Sequence, residues 1–258
     1  MKKTLLVAKL EMQIYSASPI VYIIGMVFLT ISGYLYSDFL ASFGMVSFRA
    51  INLDKMLGNQ NISANSLVFV PLFSYMGFFL MLVIPLMTMR LFAEEKKAGT
   101  IELLFTYPVS DWEIIGGKLL ASGIVLLLML SSTLLYPILT AFFGTVIFGP
   151  IWAGYLGLFL QGMAFMSLGL FTSSLTENQI IAAILAYGGI VIFSSIRWSI
   201  SYAPNLLGKV LEYLSISTHS SALIQGVIDT RDVVYYVLFF VFFGWLTLKS
   251  LESKKWRK

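Results

Sequence analysis

Between two long apolar runs the chain carries a polar stretch, Glu94 to Glu113, rich in residues suited to recognition. Glu94, Glu95, Lys96, Lys97 and Glu102 form a cluster of both signs, able to ion-pair with basic or acidic groups on another surface. Ile101, Leu104 and Phe105 fall on one face at helical spacing and offer contact area, with Thr100 and Glu102 elsewhere. Pro108 cannot continue a helix, and it biases Tyr107 away from helical angles. Directly after it, Ser110-Asp111-Trp112-Glu113 has the spacing of a capping box: Ser110 caps the next helix and Glu113 reaches back. The spacing therefore predicts a short amphipathic helix ending near Tyr107 and a new helix from Ser110. A loop that only reversed the chain would need none of this.

Residues for bond-making chemistry are sparse. No Gly-x-x-x-x-Gly-Lys-Ser/Thr run exists: Gly117-Lys118 is followed by Leu119, and Trp112 stands where the first glycine belongs. There is no cysteine, so thiolate metal sites and cysteine nucleophiles are excluded. The single histidine, His219, cannot form a multi-histidine metal site. It could pair with Ser220 or Ser221, but a structural role outweighs a catalytic one. Carboxylates deep in the apolar runs, the mark of a proton-coupled carrier, are almost lacking. Glu177 lies in a tight inner turn, and Arg197, Asp229, Arg231 and Asp232 lie near the outer edge. No catalytic residue, metal or cofactor is expected in this chain.

The elements that hold the polar stretch follow from composition. Of 258 residues, 58% are hydrophobic and 12% charged, half the charge of a soluble domain. With a mean hydropathy of +0.86, the chain cannot cover a water-facing surface. Continuous apolar runs exclude a closed barrel and call for an all-α membrane protein. Six spans are expected: about Pro19 to Tyr36, Leu67 to Phe92, Ile114 to Phe143, Ile151 to Leu175, Ile180 to Ile196, and Val233 to Leu248. Pro137 is placed to kink the third.

Six spans put both termini on one side, and Lys/Arg asymmetry says which. On the terminal side lie Lys2, Lys3, Lys9, Arg90, Lys96, Lys97, Lys118, Lys249, Lys254, Lys255, Arg257 and Lys258. The other side holds Arg49, Lys55, Arg197, Lys209 and Arg231. Both termini are therefore expected to be cytoplasmic, and the positive charge speaks for membrane lipid and not for nucleic acid. Residues 1–18 read as an interfacial amphipathic helix, with Leu5, Leu6, Leu10 and Met12 beside lysines; a plain extension of the first span is the equal alternative. Residues 19–248 are expected to form the six-helix domain, with the cytoplasmic loop 94–113 and outer segments 37–66 and 198–232. Residues 249–258 are a basic tail. The outer segment 198–232 reads either as a lid of short helices or as a connector that only packs. Ala153, Gly157, Gly169 and Ser173 form small-x-x-x-small pairs, which suit a dimer contact or packing within the chain.

The pattern EE-x-x-x-GTIELL-x-T-x-PVSDWEI-x-x-GK, from Glu94 to Lys118, resembles the loop between the second and third spans of ABC-2-type transporter permeases. The stretch Gly226 to Tyr236, ending in Lys249 to Glu252, resembles their gliding-motility-type branch. The resemblance implies a type V exporter-like permease in a bacterial inner membrane. It further implies that residues Glu94, Glu95, Gly99, Thr100, Ile101, Glu102, Leu104, Phe105, Pro108, Ser110, Asp111 and Glu113 couple to a cytoplasmic P-loop ATPase. Two ATPase copies would carry ATP and Mg, beside a second permease copy or paralogue, with room for an outer-side accessory protein. The implied function is coupling of ATP hydrolysis to export or mechanical work. The rival reading is an ATP-independent membrane scaffold or channel subunit.

Overall fold

The computed structural model describes residues 2–57, 63–101, 109–142, 144–200 and 204–255. Among these residues every element is helical. The chain opens with α1 (Lys2–Ala17) and the long α2 (Pro19–Leu57). A π-helical turn (Asn65–Phe69) leads into α3 (Val70–Thr88) and then α4 (Arg90–Lys97). Next come α5 (Asp111–Ser132), α6 (Leu135–Ala141), α7 (Phe148–Leu175) and α8 (Gln179–Ile200). Two short helices, α9 (Asn205–Leu214) and α10 (Ile216–Ile224), precede α11 (Thr230–Lys255).

Six stretches are long and apolar enough to cross a membrane: Pro19–Arg49, Asn65–Lys97, Asp111–Ala141, Phe148–Leu175, Gln179–Ser199 and Thr230–Ser253. Their order matches the six apolar runs, but their helices are longer. The first helix does not end at Tyr36; it continues to Leu57 through the polar start of segment 37–66. Polar residues alone do not stop a helix, and no proline stands between Ser37 and Leu57. Likewise Glu94 to Lys97 are not a loop approach but the last turn of α4.

One turn before Pro137 the helix is interrupted, between α5 and α6. Proline has no N–H to offer the carbonyl four residues back, which is that of Thr133. That carbonyl instead accepts from the Tyr155 hydroxyl of α7 at 2.9 Å. Tyr136 of the same turn stacks on Tyr36 of α2, ring centroids 4.6 Å apart. Hydroxyl pairs Ser32–Tyr136 and Tyr36–Thr140, each at 3.0 Å, fasten α2 to α6. Inside a bilayer such bonds and close packing hold helices together, since lipid offers no hydrophobic drive.

The centre of the bundle is α7, buried along most of its length and touched by α3, α5, α8, α10 and α11. Its small residues let the neighbours approach. A Cβ at Gly157 would stand 2.7 Å from Leu223 Cβ of α10, and one at Gly169 would stand 2.1 Å from Thr88 Oγ1 of α3. Ala153 is buried too. These residues thus pack inside the chain.

Candidate functional site at the terminal end

The helix α4 stands where four other elements meet, and each contact has a sequence cause. At its start the helical ladder is interrupted. Ser173 Oγ of α7 donates to Met89 O at 2.9 Å and accepts from the backbone N–H of Phe92 and Ala93 at 3.0 and 3.1 Å. One inserted hydroxyl thus replaces the ladder bond between Ala93 and Met89 and separates α3 from α4. At its end, α4 stops in a Schellman motif. Gly99 has a φ of 70°, its N–H donates to Lys96 O at 3.1 Å, and Thr100 N–H donates to Glu95 O at 3.0 Å. A glycine suits that left-handed position because it has no Cβ to clash.

Along α4 the charged side chains differ in exposure: Lys96 is buried, Arg90 and Glu95 are partly buried, and Glu94 and Lys97 are exposed. Lys118 of α5 is only 2% exposed. Its Nζ lies 2.7 Å from Glu95 Oε1 of α4 and 3.0 Å from Glu11 Oε2 of α1. It also sits 5.2 Å from the centre of the Phe92 ring. A buried cation between two carboxylates has its partners supplied, and removing any of the three leaves an uncompensated charge. Lys96 is buried too and donates to Ser174 O near the C-terminus of α7, where a cation also suits the helix dipole. Ser250 of α11 donates to the same carbonyl at 3.1 Å. Arg90 lies 4.8 Å over the Tyr15 ring, and Tyr15 donates to Met87 O at 3.3 Å. Burial, with Glu11 adding to it and Arg90 opposing, holds the Tyr15 phenol above its usual range, so it remains a donor.

The result is a charged knot that ties α1, α4, α5 and α7. Glu11, Arg90, Glu94, Glu95, Thr100 and Lys118 line a cleft of about 280 Å³ there. In the sequence Lys118 stands out as a positive charge on the terminal side that closes the Glu94–Lys118 pattern, and Glu11 carries no such signal. Their pairing joins residues 107 positions apart, and nothing local in the sequence signals it. Helix α1 is amphipathic, but its two faces do different work. Ala8, Glu11 and Tyr15 face inward, and Val7 fills the space a Cβ would need at Gly117 of α5. Leu5, Leu6, Leu10 and Ile14 are exposed.

Of the residues singled out in the loop, Glu94, Gly99 and Thr100 are exposed at the tip of α4, and Glu95 enters the knot. Ile101 and Val109, on either side of 102–108, pack partly buried against the core. Glu102, Leu104, Phe105 and Pro108 lie outside the described residues. The capping box is present: Glu113 N–H donates to Ser110 Oγ at 3.3 Å, and Ser110 N–H donates to Glu113 Oε2 at 3.0 Å. Asp111 occupies the first turn of α5, where a carboxylate suits the helix dipole.

At the other end of the bundle, His219 pairs with neither Ser220 nor Ser221. Its Nδ1 lies 2.6 Å from Asp232 Oδ1, its Nε2 lies 3.3 Å from Tyr213 O, and its ring stacks on Tyr235 at 4.0 Å. Both serines instead donate to backbone carbonyls. A carboxylate thirteen residues away has the stronger claim on the imidazole, and the ring fastens α9, α10 and α11.

No curated protein matches the chain. The profile of the family described as ABC-2 family transporter protein matches residues 5–249, nearly the whole sequence. A multi-pass helical bundle in which the spans bordering segment 94–113 are locked at their charged ends fits that match, and the chain belongs to the ABC-2 transporter family as a transmembrane subunit.

Proposed function

We propose that this subunit couples ATP hydrolysis by a separate cytoplasmic ATPase to export, or to mechanical work, across a bacterial inner membrane. The observation that carries this reading is the Glu11–Lys118–Glu95 contact. It joins the helix that leads into segment 94–113 to the helix that leaves it, and both to the interfacial α1. A push on the segment then moves three helices together and does not bend one loop. Ser173, inserted between α3 and α4, marks the point about which α4 can swing. The excess of lysine and arginine at the terminal end supports the cytoplasmic assignment of both termini.

In the working complex two permease chains, identical or paralogous, meet two ATPase copies that hold ATP and Mg. Glu94, Thr100, Glu102, Leu104 and Phe105 are the residues assigned to ATPase docking. The triad ties α4, which leads into 102–108, to α5, which follows it, and the capping box at Ser110 starts α5.

Purification of the tagged protein in mild detergent, beside a Glu102→Arg/Phe105→Asp double variant, tests this. A P-loop ATPase that accompanies the wild type and is lost from the variant is the expected result. Absence of any ATPase from well-folded wild-type preparations would overturn the coupling reading and leave an ATP-independent scaffold or channel subunit.

A further inference from the structure

At the end of the bundle away from the charged knot, α9 ends at Leu214 and α10 begins at Ile216, with Ser215 between them. The last carbonyls of a helix have no partner within it. Here they are met from outside. His219 Nε2 lies 3.3 Å from Tyr213 O, and the Tyr235 hydroxyl donates to Leu214 O at 2.9 Å. Just past the joint, Tyr236 donates to Ile216 O at 3.3 Å. Side chains of α10 and α11 therefore hold the end of α9, and of these the imidazole is the one that can change its donors.

The protons of this joint can be counted. A backbone carbonyl only accepts, so the bond at Nε2 needs a proton on that nitrogen. Nδ1 lies 2.6 Å from Asp232 Oδ1, which needs one proton between the two atoms, whichever holds it. The buried pair thus carries two protons, as imidazolium and carboxylate or as neutral imidazole and carboxylic acid. A neutral imidazole beside an ionised carboxylate has only one. It keeps Nδ1–H for Asp232, and Nε2 then turns a lone pair on the Tyr213 carbonyl. At 7% exposure the ring cannot trade that bond for water without movement of α9.

The surroundings favour the two-proton form. Positive charge on the ring meets the C-terminal end of α9, and Asp232 sits in the first turn of α11, so each charge faces the favourable end of a helix dipole. Other charged groups on the elements packed around α10 are engaged elsewhere or exposed. Arg197 of α8 donates to Ser217 O at 3.3 Å, and Asp229 accepts from the Arg231 N–H at 2.9 Å. Lys209 and Glu212 of α9 and Arg231 of α11 are exposed, and α3 and α7, which also pack on α10, carry no charged residue.

We infer that the α9–α10 joint is a proton-held latch, closed while His219 and Asp232 share two protons and released at α9 when the pair loses one. It answers to pH at the end of the bundle opposite the termini. The latch is a property of this chain alone and needs neither ATP nor a partner.

The test uses the full chain in nanodiscs without any ATPase, so its outcome is independent of the pull-down. His219 is the one histidine and cysteine is absent, so isotope-labelled histidine reports this ring alone and two introduced cysteines are the only spin-label sites. Labels go on the exposed Val210 of α9 and Val234 of α11. The sample is titrated from mildly acidic to alkaline pH. NMR reads the ring nitrogens, and pulsed electron resonance reads the α9–α11 separation. At the acidic end Nε2 is expected to carry a proton. On the alkaline side that proton is lost and the separation lengthens and broadens with the same midpoint. Asp232→Asn removes the charge that holds the second proton and should lower the midpoint by at least about one pH unit. His219→Phe keeps a ring against Tyr235 but no donor, and should show the released separation at every pH. A separation that stays constant across the titration, one that does not follow the Nε2 proton, or a midpoint unmoved in Asp232→Asn would overturn the inference.

Discussion

Lys118 Nζ stands 2.7 Å from Glu95 Oε1, which fastens the helix after segment 94–113 to the helix before it. The contact is short, and the cation is almost fully enclosed while Glu95 keeps 25% of its side chain exposed. Lys118→Met would strand the buried Glu11 carboxylate and half-free Glu95. The expected loss is about 3–5 kcal/mol, the usual cost of removing one partner from a buried pair. Replacing all three, as Glu11→Gln/Lys118→Met/Glu95→Gln, should recover most of it because no uncompensated charge remains. Thermal unfolding in detergent measures both. Coupled ATPase activity should stay low in the triple variant despite its stability.

Ser173→Ala removes the hydroxyl that satisfies the Phe92 and Ala93 N–H groups. Either those donors stay unpaired, at a cost of about 1–3 kcal/mol, or the ladder closes and α3 and α4 straighten. Spin labels on α3 and α4 should distinguish the two by their separation. An unchanged separation together with an unchanged Tm would show that the insertion has no mechanical part.

Gly99→Ala forces a Cβ into a left-handed position with nothing else within 4 Å of it. The cost is therefore conformational, about 1–2 kcal/mol. Gly99→Asn should cost less, because asparagine tolerates this region. The ranking in Tm, with glycine highest and alanine lowest, is the expected readout.

Gly169→Ala places a methyl against Thr88, and the clash should destabilise by about 1–3 kcal/mol. Thr88→Ala should relieve part of it in the double variant. If Gly169 served a second copy of the chain instead, the change would appear in the oligomer distribution on size-exclusion chromatography with Tm preserved.

Much of the frame was legible because its signals are local. Apolar run length gave the six spans, Ser110 and Glu113 sit at capping-box spacing, and Pro137 announced the break that falls at Thr133. The ends of helices were less legible. Ser37 to Leu57 looked like a polar outer segment, yet polar residues without proline continue a helix readily. The knot was hardest to read. Lys118 faces Glu11 across 107 residues of chain, so its burial depends on how α1 lies against α5, and that depends on the room at Gly117. His219 and Asp232 were both noted as outer residues, but the turn at Gly226 that brings them together has a φ of 90°, which no pairwise pattern encodes.

Among the six crossing stretches, the one formed by α7 has the lowest mean hydropathy and the greatest share of buried residues. Alone in a lipid bilayer it would be the poorest of the six, with its hydroxyls and Gln161 facing acyl chains. During synthesis, however, α3 and α5 precede it, and they supply Thr88 and Leu126 to its glycines. The order of the chain thus lets the fourth span enter beside partners already made, and leaves α8, α10 and α11 to close over it afterwards.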